Sequence, residues 1–343
     1  MRIAYLLESG EFFGGVKVML MQAEALVRRG HRATIVSPRP APDWYEFGRV
    51  AFEQSEFRDS RALRDADVRV ATFFRTVRPA LEGARGPVFH LCQGYEGGIS
   101  FYRGVWPEIE AIYRLPTRKL TISGVLAKKL EALGYGPVFN VGQALDREEF
   151  RPGPPRPASD PPVVFLIGAL EIDLKGVDVA LRGLEIFRSR GGRFRLVRAS
   201  YFAPSDAERK MGLADEFHHM LPPERMPHAY RAADASVNAA RPEEGFGLPA
   251  LEALACGLPT LLSDTPAHRE IGGDAAWYFA DGDAEALADA LPGILTDAAR
   301  ARARTAGPAA AARCDTDRVA ERLESAFREA LGEVPAAVAP ASA

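Results

Sequence analysis

Six prolines in the twelve residues 151–162 (RPGPPRPASDPP) constrain what this 343-residue chain can fold into more than any other stretch. Proline lacks the amide hydrogen that a helix interior or a sheet ladder needs, so the run is extended and semi-rigid. It separates two series of strand, loop and helix. Before it, residues 3–7 form a short apolar run suited to a strand buried on both faces. A loop with Gly10, Gly14 and Gly15 follows, then a helix on which Val16, Leu20, Ala23 and Val27 recur at intervals of four, three and four, ending at Gly30. Residues 33–36, 68–72, 88–91 and 120–122 read as further strands. Ser123 caps a helix carrying Leu126, Leu130 and Leu133, which Gly134 closes. Beyond the prolines, residues 163–168 open the second series, with strands at 196–197, 235–238 and 260–263. The expected architecture is α/β with two Rossmann-like halves, residues 1–152 and 153–315. A last helix over 316–333 carries Val319, Leu323 and Phe327 at a spacing of four, and the low-complexity residues 334–343 are expected to be disordered.

Bulk properties exclude several classes. With 43 basic against 46 acidic residues, the net charge of −3 gives no field that implies nucleic-acid binding. Cys92, Cys256 and Cys314 form no redox or metal motif, which suits a reducing compartment, and Cys92 and Cys256 read as small core residues. The opening MRIAYLLESG resembles a first strand rather than a signal peptide, and no segment approaches the roughly 20 apolar residues that span a bilayer. A soluble, cytoplasmic protein is the expectation.

Chemistry concentrates in residues 241–260, RPEEGFGLPALEALACGLPT. Proline is pre-organised for a first helical position, so Gly245, Gly247 and Pro249 read as a glycine loop (244–248) opening a short helix (249–256), stopped by Gly257. Free backbone N–H groups and the positive end of that helix suit an anion. Glu244 lies in the loop, and Glu252 about two turns inside the helix. A phosphate at the helix mouth with carboxylates for polyol hydroxyls suits a nucleotide sugar.

This stretch resembles the E-x7-E signature of retaining GT-B-fold glycosyltransferases of family 4, the glycosyl transferases group 1. GGVKVMLMQAEALVRRGH near the N-terminus, the central LTISGVLAKKLEALG, LKGVDVAL, and SDTPAHREIGGD after the signature follow the family's order. The resemblance implies a GT-B fold, with two Rossmann-like domains facing each other across a cleft that holds the active site. The last helix often crosses back onto the first domain in this family. The implied activity is retaining transfer of a hexose-type sugar from a nucleotide-diphosphate donor to a glycan, lipid-linked or small-molecule acceptor, without a bound metal or other cofactor. Cationic side chains and helix N-termini must then neutralise the leaving diphosphate.

The resemblance assigns roles residue by residue. Lys175, in Leu174-Lys175-Gly176, matches the phosphate-binding lysine. Glu244 faces the donor sugar; Glu252 holds the ribose hydroxyls; Phe246, Gly247 and Leu248 offer backbone N–H groups to sugar and phosphate. Gly14 and Gly15 are the matching element of the first half, and residues 219–221, with His219 and Leu221, run beside the nucleotide base. Two departures stand out. The family's arginine after the strand-ending glycine is absent from Gly168-Ala169-Leu170-Glu171, for which Arg241 is one candidate replacement. Gln93 takes the place of a histidine near the reacting centre, and it cannot act as a base near neutral pH. His90, inside its strand, reads as a hydrogen-bonded core residue.

Acceptor contacts are expected in first-half loops, at residues 11–13 with Phe13, 74–78 with Arg75, and 95–102 with Tyr95. His218, His219 and His228 do not make a metal set. Arg114, Arg118, Lys119, Lys128 and Lys129 form a basic cluster, readable as solvated helix charge or as a surface for anionic lipid and a peripheral membrane contact. The departures motivate an alternative, a non-catalytic or weakly active nucleotide-sugar-binding protein of the same fold.

Overall fold

The computed structural model of the protein describes residues 1–11 and 14–332. These divide into two compact units. The first comprises residues 1–144 with the C-terminal helix Thr316–Ala330, and the second runs from Leu145 to Asp315. The expected tail at 334–343 lies outside the described residues.

In the first unit the strands are β1 (Arg2–Leu6), β2 (Arg32–Ser37), β3 (Ala51–Gln54), β4 (Val68–Ala71), β5 (Val88–Cys92), β6 (Arg118–Thr121) and β7 (Val138–Asn140). They form one parallel sheet in the order β3-β2-β1-β4-β5-β6-β7. The apolar runs occupy its buried centre: β1, β4 and β5 are almost wholly inaccessible. The C-terminal helix covers one face with Val319, Leu323 and Phe327, the last ring meeting Phe89 of β5 at 4.9 Å. Arg29, just past the end of the Gly14–Arg28 helix, fixes it by an ion pair to Glu324 at 2.7 Å.

The second unit repeats the scheme with β8 (Val163–Ile167), β9 (Arg195–Ser200), β10 (Glu216–His219), β11 (Ala235–Asn238), β12 (Thr260–Ser263) and β13 (Trp277–Phe279), all parallel, in the order β10-β9-β8-β11-β12-β13. Its core gathers Val164, Leu166, Leu184, Leu196, Val237 and Leu261.

Three expectations need correction. The units divide at Ala144, not at 152, and the proline run belongs wholly to the second unit. Asp234, 2 % exposed, holds it by accepting from the amides of Ser159 and Val163 while pairing with Arg156 at 2.9 Å and Arg300 at 3.3 Å. Arg156 also donates to the carbonyls of Arg231, Ala232 and Ala233, so side chains tens of residues away turn an apparent linker into a clamped strap. Second, residues 74–78 are not a loop: they open the helix Phe74–Leu81, whose Phe74 and Val77 are core. Third, Lys119 is not solvated. Its ammonium is buried against Thr117 and the Tyr113 ring, and desolvation lowers its pKa.

Candidate active site

In a parallel sheet, ligands gather beyond the carboxyl ends of the strands, where the order reverses direction. That point in the second unit lies between β8 and β11, and the signature loop sits there. Gly247 caps the helix Leu248–Ala255 in the left-handed region at φ 101°, with Pro249 in the first turn. A side chain at Gly247 would stand 3.2 Å from His268 Nε2, so both conformation and space demand glycine. Glu252 lies just over one turn beyond the cap rather than two. It is nearly buried, and Tyr230 Oη donates to its Oε2 at 3.0 Å.

The loop after β8 meets this one. Gly176, at φ 58°, is packed against the carbonyl of Ala239 at the end of β11, where any Cβ would collide. The approach brings Lys175 Nζ to Glu244 Oε1 at 2.7 Å. Glu244 Oε2 is buried and accepts no hydrogen bond among the described residues. His268 Nδ1 lies 2.9 Å from the carbonyl of Ser263, which fixes the tautomer with the proton on Nδ1 and leaves the buried Nε2 lone pair toward Gly247. Burial holds this imidazole below its usual pKa, against the opposing pull of Glu244. The arrangement offers an ammonium, two carboxylates and a helix N-terminus at one sheet edge, enough to bind a polyhydroxylated anion.

The two arginines that could supply the absent charge are both engaged. Arg241 donates to the Asp173 carbonyl and pairs with Asp178 at 3.1 Å, stapling the loops together. Arg198, fully buried, was not singled out by sequence. From β9 it donates to the carbonyls of Leu166 and Gly168 and pairs with Glu208 at 2.7 Å, holding the Gly168 turn from beneath. Its signal is a charged residue inside an apolar strand, which alone does not identify its partners. His219 ends β10 and is exposed, and Leu221 follows it, two strands from β8 on the same sheet edge. Among the described residues, no group of three or more His, Cys, Asp or Glu gathers that could hold a metal ion.

In the first unit the reversal lies between β1 and β4. There, Glu8, Gly15, Thr72, Gln93, Glu96 and Tyr102 help to line a cavity of about 290 Å³. Gln93 Nε2 donates to the Gly15 carbonyl at 2.9 Å, binding the β5 loop to the first turn of the Gly14–Arg28 helix. Arg75 reaches the cavity's edge by an ion pair with Glu8 at 3.4 Å. Tyr95 does not line it. Its hydroxyl lies 3.2 Å from that of Tyr135 and its ring packs on Tyr113 at 5.0 Å, within an aromatic cluster. Phe13 lies outside the described residues. His90 is core as expected, but neither ring nitrogen has a hydrogen-bond partner among the described residues. Burial and nearby Lys119 lower its pKa to about 3.

Residues 161–297 match the family model described as glycosyl transferases group 1. A D-inositol 3-phosphate glycosyltransferase of Thermobispora bispora is 31 % identical over 237 residues, 61 % of this chain and 55 % of that protein. Its counterpart in Acidothermus cellulolyticus is 33 % identical over 190 residues, 50 % of this chain and 42 % of its own. The chain thus spans about half the length of these curated relatives. Among solved structures, Anabaena HepE in complex with UDP and glucose superimposes with a TM-score of 0.74 at 15 % identity, over 95 % of this chain and 99 % of that one. Sucrose-phosphate synthase from Thermosynechococcus elongatus gives 0.77 at 17 % identity, over 97 % and 99 %. The solved structures identify the fold as GT-B. No helix among the described residues is long and apolar enough to cross a membrane.

Proposed function

We propose that this chain is a GT4-like glycosyltransferase of group 1 that transfers a hexose-type sugar, with retention, from a nucleotide-diphosphate sugar to an acceptor hydroxyl, a reading supported by the family-model match and the similar glycosyltransferases. One observation carries the reading: the Lys175 ammonium and the Glu244 carboxylate meet at 2.7 Å beside the helix mouth capped by Gly247. The donor's diphosphate takes up the charge of Lys175 and the N–H groups of Phe246, Gly247 and Leu248. Glu244 is thereby freed to face the sugar and steady positive charge developing at its anomeric carbon. Glu252, oriented by Tyr230, accepts from the ribose hydroxyls. The acceptor oxygen bonds to the anomeric carbon on the face from which the phosphate oxygen departs, and that oxygen takes the acceptor's proton. Gln93 orients a hydroxyl and holds no proton in transit. Charge neutralisation by side chain and helix requires no metal.

The relatives frame the first donors to try. HepE is solved with UDP-glucose, and other matched proteins are named as mannosyltransferases, so UDP-glucose and GDP-mannose lead the panel. The acceptor is a glycan, a lipid-linked sugar or a small polyol. Lys175→Ala, Glu244→Ala and Glu252→Ala are each expected to reduce nucleotide release with acceptor by about 100-fold, the scale of losing one transition-state contact. Wild-type rates in a folded Lys175→Ala protein would overturn the assignment.

A specific observation favours a second reading, a nucleotide-sugar-binding protein without turnover. Ala169 stands where the family carries its second cation, and both nearby arginines are committed elsewhere. Tight binding of a nucleotide sugar with neither transfer nor slow hydrolysis would select it.

A further inference from the structure

We infer that the cavity of the first unit takes an uncharged polyhydroxylated acceptor, and that Glu96 is the residue that selects it. The inference rests on the transfer reading and concerns the acceptor alone.

The polar groups on the described lining are carboxylates, hydroxyls and an amide: Glu8, Ser9, Thr72, Gln93, Glu96 and Tyr102. No lysine, arginine or histidine is among them. Arg75, the cation that reaches the rim, is matched by Glu8 and brings no surplus positive charge. The remaining electropositive element is the N-terminus of the Gly14–Arg28 helix at Gly15, a partial charge that the full charge of Glu96 outweighs. An acceptor carrying its own phosphate would therefore meet the Glu96 carboxylate with no surplus cation on the described lining to offset it.

Glu96 is built into the wall rather than left on a mobile stem. Tyr113 Oη donates to its Oε2 at 2.6 Å, and the same tyrosine packs on His90 and Tyr95. That bond orients the carboxylate, whose oxygens can each accept more than one hydrogen bond, so that a ligand hydroxyl can donate to it. Phe73 and Tyr102, also on the lining, stand with centroids 6.1 Å apart and offer a surface for the C–H face of a sugar ring. Hydroxyl acceptors beside an aromatic wall suit a neutral sugar or polyol. The cavity volume of about 290 Å³ holds one such ring.

The test uses the full chain, its preferred nucleotide sugar, and matched pairs of acceptors: myo-inositol against its 3-phosphate, and glucose against glucose 6-phosphate. Nucleotide release above the rate with water gives kcat and KM for each. The neutral member is expected to be favoured at least tenfold in kcat/KM. Glu96→Gln should raise the neutral acceptor's KM about tenfold while moving kcat less, and Glu8→Gln, at a half-buried position, should narrow the preference against the phosphate ester. Equal or better use of the phosphate esters overturns the inference, as does an enzyme that hydrolyses its donor slowly but is accelerated by no acceptor of the panel, or a Glu96→Gln enzyme with wild-type KM. If Glu96→Gln does not fold, an unaltered preference in Glu8→Gln overturns it instead. Failure of the transfer reading looks different: either no nucleotide sugar binds, or one binds with neither transfer nor hydrolysis.

Discussion

Lowering the pH should destabilise the first unit through His90, and the size of the effect can be worked from the structure. The imidazole is fully buried beneath Tyr113, has no hydrogen-bond partner among the described residues, and faces the Lys119 ammonium. Its pKa falls from an ordinary 6.5 to about 3. The unfolded chain takes up a proton below pH 6.5 while the native one refuses it, so stability is complete above the unfolded value and is lost as pH falls toward the folded one. Each pH unit in that window costs about 1.4 kcal/mol, so moving from pH 7.5 to pH 5 removes about 2 kcal/mol through this residue. The assay is denaturant unfolding at both pH values for wild type and His90→Leu, followed by fluorescence of Trp44 and Trp106 in the first unit. His31 and His268, also held below the usual imidazole range by burial, are common to both proteins and cancel in the comparison. The variant should match or exceed wild type at pH 7.5, since two unsatisfied nitrogens are removed, and lose about 2 kcal/mol less on acidification. Parallel pH dependences in the two proteins would refute the reasoning.

Two further outcomes follow from named contacts. Asp234→Ala should cost about 3–5 kcal/mol, because it strands Arg156 and Arg300 and releases the proline strap, and a loss under about 1 kcal/mol in a denaturation curve would show the clamp to be ornamental. Tyr230→Phe keeps the ring against Phe165 but removes the bond to Glu252, so nucleotide-sugar affinity measured by calorimetry should fall about 3–10-fold; an unchanged Kd would detach Glu252 from the donor.

What the sequence reveals depends on how local the causes are. β1, β5, β8, β11 and β12 are legible as apolar runs because central parallel strands are buried on both faces. β3, β7 and β13 are not: they are three or four residues long, lie at or near sheet edges and keep half-exposed side chains. The Gly247 cap and Glu252 are readable because one loop and one helical turn contain them. The commitment of Arg241 to Asp178, the grip of Asp234 on the strap and the hold of Tyr230 on Glu252 are pairings across 63, 71 and 22 residues, which composition and spacing do not encode. The same holds for Tyr95: its aromatic partners Tyr113 and Tyr135 come from separate elements, so a loop tyrosine expected to meet an acceptor instead packs inward.

The central claim, a nucleotide-sugar donor site around Lys175 and Glu244, is tested most directly by thermal shift of the purified chain against UDP, GDP, dTDP, ADP and CMP and their sugar conjugates. Ligand at about 100 times its Kd stabilises the native state by about 2.7 kcal/mol. The account predicts a clear rise in Tm with one nucleotide family and its loss in Lys175→Ala. No shift with any of these ligands, or the same shift in wild type and Lys175→Ala, would contradict it.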